Sequence, residues 1–199
     1  MGNIYLVRHG QSYQNAGLTQ EINSGMTHLG HLQAINAGLL LQEKAQSLNL
    51  ITSPFLRTIE TANILKRLLH VVSHTTDPSL REVPYILPHE GYEFEFSFGV
   101  PFSIGERSSN AIKIMEENFE QYQIRLHEFV LGLKNDLDYL IVSHGMVIYN
   151  LYELLTDKKV TWPDWSERVP NGSIIDVYNR RITFNDGVQN YYEHYLWSS

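Results

Sequence analysis

Short apolar runs alternate along the chain with longer segments in which apolar residues recur every three or four positions. The runs at 4–7, 48–51 and 139–142 are rich in branched apolar side chains, which predicts buried β-strands. The segment 112–133 carries apolar residues at helical spacing throughout, which predicts a long amphipathic helix. Strands and helices that alternate in this way are typical of a parallel sheet covered by helices.

Two further helices are predicted from the residues at which they would begin. Thr27 is suited to the N-cap of one of them, because its side-chain oxygen can accept from a backbone N–H of the first turn. Ser53 and Pro54 suit the cap and first position of a second helix, which would run to about Leu69. The residues expected on one side of the first helix are Leu29, Leu32, Leu39 and Leu40.

The segments 174–177 and 182–184 flank Asn179-Arg180 and predict a β-hairpin. The complete pattern predicts an α/β protein, a three-layer α/β/α sandwich with a mostly parallel central sheet. A single domain over residues 1–199 is expected, because the sequence contains no repeat and no linker-like segment. In such a sheet the ligand crevice lies beyond the carboxyl ends of the strands.

Composition narrows the classes of function. The chain carries a formal net charge of −7, which disfavours nucleic acid and anionic membrane as partners. It contains no Cys, which excludes disulfides, thiolate nucleophiles and Cys-based zinc sites. No basic stretch with an apolar run behind it stands at the N-terminus, and the run 4–7 is too short to cross a bilayer. We therefore expect a cytoplasmic protein.

Chemically useful side chains follow three of the predicted strands. Arg8-His9 ends the first, the segment 53–57 with Arg57 follows the second, and His144 ends the third. If these strands are neighbours, two guanidiniums and two imidazoles converge into an anion site. Arg is suited to phosphate because its planar fork donates two parallel hydrogen bonds. A neutral imidazole could then attack phosphorus, provided that an acceptor such as a backbone carbonyl fixes its other nitrogen.

Several blocks of the sequence resemble the histidine phosphatase superfamily, the phosphoglycerate-mutase-like proteins. Arg8-His9-Gly10 is similar to the opening motif of that family. The remaining blocks occur in the family's order and are Thr27-His28-Leu29-Gly30, Thr52-Ser53-Pro54 with Arg57-Thr58, Leu80-Arg81-Glu82, and Val142-Ser143-His144-Gly145. Asn171-Gly172-Ser173 fits the family less closely.

The resemblance implies a phosphohistidine mechanism. It makes His9 the nucleophile, and it makes Glu82 the general acid for the leaving group and then the base for water. The side chains that it implies around the phosphoryl group are Arg8, Arg57, His144 and Asn15. The family uses no metal and no cofactor, so a metal-independent histidine-acid-type phosphatase is expected, with a small phosphorylated molecule as substrate.

Two departures from the family pattern bear on the substrate. Gln11 stands where the family often has Glu, and no Lys or Arg occurs between Arg81 and Arg107. A mutase has to bind a second anionic group, so a segment without cations favours a phosphatase. The segment at about 83–108 is expected to be an insertion that covers the substrate, with alternating aromatic residues at 92–98.

Other readings remain open at the level of sequence. A phosphoglycerate mutase or sugar bisphosphatase would share the nucleophile, and a phosphoprotein phosphatase would differ in the size of its substrate. A non-catalytic phosphate-binding module would keep the pocket without the reaction. The sequence leaves the oligomeric state undecided, with a homodimer among the options.

Overall fold

The structure, a computed structural model, describes residues 2–44, 47–82, 119–158, 169–185 and 191–195. Within these residues seven strands form one sheet: β1 (Ile4–Arg8), β2 (Leu48–Thr52), β3 (Val71–Thr76), β4 (Tyr139–Ser143), β5 (Ile174–Asp176), β6 (Arg181–Asn185) and β7 (Tyr191–Tyr195). The helices are α1 (His28–Gln42), α2 (Leu56–Leu68), α3 (Phe119–Leu131) and α4 (Gly145–Leu155), with a 3₁₀ turn at Pro78–Leu80.

The strands lie in the order β3-β2-β4-β1-β5-β6-β7. The first four in this order are mutually parallel, whereas β5, β6 and β7 each run antiparallel to the strand before them in the order. β6 therefore points the same way as β1, and five of the seven described strands share one direction. This arrangement confirms the predicted mostly parallel sheet and makes β2, β4 and β1 neighbours.

Helices cover both faces of the sheet, which confirms the three-layer sandwich. Successive side chains of a strand point to opposite faces, and β1 shows this directly. Tyr5 and Val7 belong to a core that α1 and α2 complete, whereas Ile4 and Leu6 belong to the core that α3 and α4 complete. Because β1 is buried on both faces, it reads in the sequence as a continuous apolar run.

The first helix begins where the sequence predicts, but it buries a different face. Thr27 is its N-cap and accepts from the backbone N–H of Gly30 at 3.1 Å. The side with the predicted leucines is only partly buried: Leu39 is 46% exposed, whereas Leu40 packs against the core that α1 and α2 complete. The buried residues are Gly30, Gln33, Ala34, Ala37, Gly38 and Leu41. Small residues are needed there because α1 approaches α2 closely: a Cβ on Gly38 would lie 2.5 Å from Leu68 Cδ1.

The second helix begins later than predicted. Its first residue is Leu56, and its N-cap is Phe55, which makes no side-chain capping bond. The prediction of Ser53 as the cap is wrong because the helix begins three residues later; the Ser53 hydroxyl lies 2.8 Å from the imidazole of His144 and 3.5 Å from the backbone N of Phe55. The predicted end near Leu69 is confirmed, since Leu69 is the C-cap.

The two remaining predicted elements agree with the structure where it describes them. Tyr122, Leu126 and Phe129 of α3 are buried, as the apolar periodicity requires, whereas residues 112–118 lie outside the described residues. The hairpin prediction is confirmed by the antiparallel pairing of β5 with β6. Among the described helices, none has both the length and the apolar character that crossing a bilayer requires.

Candidate active site

The predicted site residues meet at the carboxyl ends of β1, β4 and β2. His9 and His144 directly follow β1 and β4, and Arg57 lies in the first turn of α2 after β2. All three side chains are almost fully buried, with exposures of 1% for His9, 0% for His144 and 4% for Arg57. The two imidazole rings are 5.2 Å apart between centroids, at an interplanar angle of 67°. The sheet order therefore brings together the groups that the sequence places on separate strands.

Arg57 links the two imidazoles. Its Nε donates to His9 Nε2 at 3.1 Å, and its Nη2 donates to His144 Nδ1 at 3.1 Å. Its Nη1 donates to the backbone carbonyl of Ile22 at 2.6 Å, and its guanidinium lies 4.7 Å above the ring of Phe55. A guanidinium has donors only, so both imidazole nitrogens that face it must carry a lone pair.

The tautomer of His9 follows from these bonds. Its Nδ1 lies 2.7 Å from the carbonyl oxygen of Gly10, which can only accept, so the ring proton is on Nδ1. The pKa of His9 is held well below 6.5 by burial first, then by the positive charges of Arg57 and Arg8. His9 is therefore a neutral imidazole near pH 7, with the lone pair of Nε2 directed at the guanidinium.

His144 has the opposite tautomer. Its Nδ1 accepts from Arg57, and its Nε2 lies 2.8 Å from Ser53 Oγ, to which it donates. Burial lowers its pKa most. The charge of Arg57 lowers it further, as do His9 when it is protonated, Arg8 and Arg125. The Ser53 hydroxyl, which the sequence suggested as a helix cap, thus orients an imidazole of the site.

Arg8 contributes the second guanidinium of the cluster. It donates through Nη1 to the backbone carbonyl of Val169. Its guanidinium carbon lies 3.4 Å from the position that a Cβ on Gly145 would take, so it rests against the first turn of α4. A helix N-terminus carries partial positive charge, so this edge of the sheet combines two guanidiniums with a helix end, all of which favour an anion.

Two glycines allow the loop after His9 to pack against the start of α1. A Cβ on Gly10 would lie 2.2 Å from the carbonyl oxygen of Gly30. A Cβ on Gly30 would lie 2.2 Å from the carbonyl oxygen of Gln11. Gln11 is bound at three points. Its backbone N–H donates to Gln33 Oε1 at 2.8 Å, its carbonyl accepts from the N–H of Thr27 at 2.9 Å, and its Oε1 accepts from Thr27 Oγ1 at 2.9 Å. The Gln that departs from the family pattern therefore holds the loop in place.

Asn15 is linked to His9 through Asn171, which binds both residues. Asn15 Oδ1 accepts from the backbone N–H of Ser12 at 3.4 Å and from Asn171 Nδ2 at 3.2 Å. Asn171 Nδ2 also donates to the carbonyl of His9 at 3.1 Å. Sequence reasoning assigned no role to Asn171, although the Asn-Gly-Ser block was a signal for it.

Gly172 completes the link between the C-terminal part of the chain and β1. Its N–H lies 3.2 Å from the carbonyl oxygens of both Arg8 and His9. Its φ of +72° is in the left-handed region, and a Cβ would lie 2.7 Å from Gln33 Cβ. Both observations require glycine at this position.

Glu82 lies at the edge of the same cluster. It follows the 3₁₀ turn, its side chain is 28% exposed, and its Oε2 is 3.9 Å from His144 Nδ1. Because that nitrogen already accepts from Arg57, the contact is a close approach and not an ion pair. The structure therefore places the predicted general acid next to the predicted phosphoryl pocket.

Two groups that sequence reasoning missed hold the segment before Glu82. Arg125 of α3, 8% exposed, donates through Nη1 to the carbonyls of Ser79 and of Arg81, the latter at 3.1 Å. Ser143 Oγ donates to the carbonyl of Leu80 at 2.7 Å. The signal for Arg125 was a charged residue on the buried side of a helix, three positions after Tyr122.

Some predicted features lie outside the described residues. These are the insertion at 83–108, the aromatic segment 92–98 and Arg107. In the described ranges, no three His, Cys, Asp or Glu side chains are grouped as ligands of a metal ion would be.

An α/β/α fold with buried Arg and His side chains at the carboxyl ends of its parallel strands is the arrangement expected of a phosphatase- or mutase-type enzyme. The sequence profile of the histidine phosphatase superfamily (branch 1) matches residues 4–185, and the chain belongs to this family. A comparison with curated proteins found no significant match.

Solved structures of similar fold share about a fifth of their residues with this chain. A putative alpha-ribazole-5'-P phosphatase from Escherichia coli has 18% identity and a TM-score of 0.62, with 100% of this chain and 98% of that chain covered. The protein TTHB049 from Thermus thermophilus has 20% identity and a TM-score of 0.55 over 86% of this chain and 91% of its own. A phosphoglycerate mutase from the same organism has 20% identity and a TM-score of 0.54 over 86% of this chain and 90% of its own. At these identities the likeness shows the fold.

Proposed function

We propose that this protein is a phosphatase that hydrolyses phosphate monoesters of a small molecule through a phosphohistidine at His9. The observation that carries the proposal is the state of the His9 imidazole. Nδ1 is protonated against the carbonyl of Gly10 at 2.7 Å, and Nε2 presents its lone pair to Arg57 at 3.1 Å. A nucleophilic imidazole needs this neutral tautomer, and the adjacent guanidinium can receive the phosphoryl oxygens.

The first half of the reaction transfers the phosphoryl group to His9. A phosphoryl oxygen that enters beside Arg57 takes over its N–H groups and leaves Nε2 facing phosphorus. The P–N bond forms as the ester P–O bond breaks, and the leaving oxygen takes the proton of Glu82. Arg8, Arg57 and His144 stabilise the charge on the equatorial oxygens, which is the main requirement of phosphoryl transfer.

The second half returns the enzyme to its initial state. The Glu82 carboxylate takes a proton from water as the oxygen attacks phosphorus. The P–N bond breaks, inorganic phosphate leaves, and His9 is again neutral with Glu82 protonated. The sum is one ester and one water converted to one alcohol and one phosphate. Asn15, whose amide oxygen is held by Asn171 at 3.2 Å, can direct its N–H₂ group to a phosphoryl oxygen.

A small substrate fits the burial of the site, because His9 and His144 are 1% and 0% exposed. Because the formal net charge of the chain is −7, a phosphate ester would be attracted only by the cations near the site. The reaction would take place in the cytoplasm, a reducing compartment with which a sequence without Cys is compatible.

The test is phosphate release from p-nitrophenyl phosphate between pH 4 and 9 with EDTA present. His9→Gln should lose at least about 10³-fold in kcat, as expected for removal of a covalent nucleophile. His127→Gln, an exposed imidazole on α3, is the matched control and should retain full activity. Wild-type enzyme quenched in base during turnover should contain phosphohistidine, and His9→Gln should contain none.

Other outcomes distinguish the remaining candidates. Full activity in His9→Gln would exclude the mechanism. Transfer of the phosphoryl group between carbons of phosphoglycerate, faster than release to water, would identify a mutase. Hydrolysis confined to phosphorylated proteins would identify a phosphoprotein phosphatase. Binding of orthovanadate without turnover of any ester would identify a binding module.

A further inference from the structure

The backbone of the segment that carries Glu82 is held by side chains of two other elements, α3 and β4. It begins with the 3₁₀ turn, which has its own internal bonds: Asp77 Oδ1 accepts from the N–H of Ser79 at 2.7 Å, and the N–H of Arg81 donates to the carbonyl of Pro78 at 3.1 Å. These bonds satisfy the N–H groups of Ser79 and Arg81, but not the carbonyls at the end of the turn. The last carbonyls of a helical turn have no partner inside it, and here they are those of Ser79, Leu80 and Arg81.

All three of these carbonyls accept from outside the turn. The Nη1 group of Arg125 spans those of Ser79 and Arg81, and Ser143 Oγ binds the one between them at 2.7 Å. Ser143 is the last residue of β4, so its neighbour in the chain is His144. The same strand end thus fixes the imidazole of the site and, through Ser143, the backbone that leads to Glu82.

Position 125 holds a charged residue although it lies on the buried side of α3. Its side chain is only 8% exposed, and its guanidinium lies 5.0 Å above the ring of Tyr122. Burial of a cation is unfavourable unless strong hydrogen bonds compensate it. An apolar residue such as Met would fill a similar volume on the buried side of α3 without that cost. Arginine, unlike Met, donates to the two carbonyls, one of which belongs to the residue before Glu82.

We propose that Arg125 is a positioning residue for Glu82: it fixes the backbone of residues 79–81 so that the carboxyl stays at the edge of the His9–His144 pocket. This inference rests on the proposed function, in which Glu82 protonates the leaving oxygen. Proton transfer requires donor and acceptor within hydrogen-bond reach, and a misplacement of about 1 Å can cost roughly 10²-fold in rate. Arg125 acts on the proton transfer through the position of Glu82, besides the effect of its charge on the pKa of His144.

The experiment measures kcat/KM for phosphate monoesters whose leaving groups differ in basicity, from 2,4-dinitrophenyl through 4-nitrophenyl to phenyl phosphate. A good leaving group departs without a proton, whereas a poor one depends on the general acid. Arg125→Met should stay within about threefold of wild type on the dinitrophenyl ester and lose at least about 10-fold on the phenyl ester, since general acids contribute roughly 10²–10⁴-fold. Glu82→Gln should show the same trend more strongly.

Two further variants separate positioning from loss of stability. Leu126→Ala removes a fully buried neighbour on the same helix; it should destabilise the protein and lower kcat/KM, if at all, by the same factor for every ester. The double variant Glu82→Gln/Arg125→Met should be no slower than Glu82→Gln, because residues that act as a unit are not additive. If Arg125→Met does not fold, Arg125→Lys, which keeps the charge but loses the planar fork, takes its place.

The outcomes for the two proposals differ. An equal loss on all esters in Arg125→Met, or additive losses in the double variant, would overturn the positioning role and leave the phosphohistidine mechanism standing. A wild-type enzyme that turns over none of the esters and forms no phosphohistidine would overturn the proposed function itself.

Discussion

Replacement of Arg57 by Met should have two separable effects, one on rate and one on pH dependence. The variant removes the guanidinium that donates to His9 Nε2 and to His144 Nδ1, both at 3.1 Å. Loss of one preorganised donor to a developing oxyanion costs about 2.7–4 kcal/mol, or about 10²–10³-fold in kcat. We therefore expect a fall of that size for p-nitrophenyl phosphate. Arg67→Met on the exposed side of the same helix is the matched control.

The second effect has a definite sign. After burial, Arg57 is the largest cause that lowers the pKa of both His9 and His144. Without it the pKa of His9 rises, so the imidazole takes up a proton at higher pH and ceases to be a nucleophile there. The acid limb of the kcat/KM profile should consequently move to higher pH in Arg57→Met.

Arg57→Lys separates the charge from the geometry. It keeps a cation near the imidazoles, so its acid limb should stay close to that of wild type. It cannot reach His9, His144 and the carbonyl of Ile22 together, because a single ammonium replaces a planar fork, so its kcat should still fall. Histidine NMR titrations give the pKa values independently of turnover. The reasoning is refuted if Arg57→Met leaves the pKa of His9 unchanged or lowers it.

Two further predictions concern stability. Gly172→Ala should destabilise the protein by about 2–3 kcal/mol, because a left-handed φ costs an L-residue about 1–2 kcal/mol and overpacking adds about 1 kcal/mol or more; a Cβ there meets Gln33 Cβ at 2.7 Å. Gly17 has the same positive φ, but a Cβ there would have no atom within 4 Å. The difference in thermal stability between Gly172→Ala and Gly17→Ala should therefore measure the contact with Gln33. Equal losses of stability in the two variants would contradict a role for that contact. The free energy of unfolding should also fall as the pH drops below about 6.5, the pKa of His in the unfolded chain, because the unfolded state takes up protons that the buried, neutral His9 and His144 of the native state do not. Each His contributes at most about 1.4 kcal/mol per pH unit to that slope. In urea unfolding, the free energy of unfolding of His9→Gln should therefore decline less steeply than that of wild type between about pH 6.5 and 5.5. An unchanged slope would show that His9 is not held neutral.

The sequence predicted those parts of the fold in which local pattern and final environment agree. β1 and β4 are buried on both faces, so each strand could be predicted from a continuous apolar run in the sequence. The meeting of His9, Arg57 and His144 was predictable because each follows a strand, and neighbouring parallel strands end at one edge of a sheet.

The errors arose where a distant partner decides a local feature. Ser53 looks like a helix cap in its own segment, but its hydroxyl binds His144, which lies 91 positions later. The leucines of α1 suggested its buried side, yet close contact with α2 selects small residues such as Gly38, since the lost side-chain area is offset by closer backbone packing. No local pattern carries information of this kind.

The residues of the site that were missed share the same origin. Arg125 and Asn171 bind backbone carbonyls of Arg81 and His9, which lie 44 and 162 positions away in the chain. A backbone carbonyl has no signature in a sequence, so the partners of these two side chains could not be identified without the fold.

The strand order also constrains how the protein is made. β1 precedes the other described strands in the chain, yet its partners β4 and β5 begin only at Tyr139 and Ile174. At a synthesis rate of about 5–20 residues per second, the apolar β1 waits roughly 10–30 s on the ribosome before both of its edges are covered. An uncovered strand is a template for pairing between chains. We therefore expect nascent chains that stop before β5 to depend on chaperones and to aggregate when these are absent.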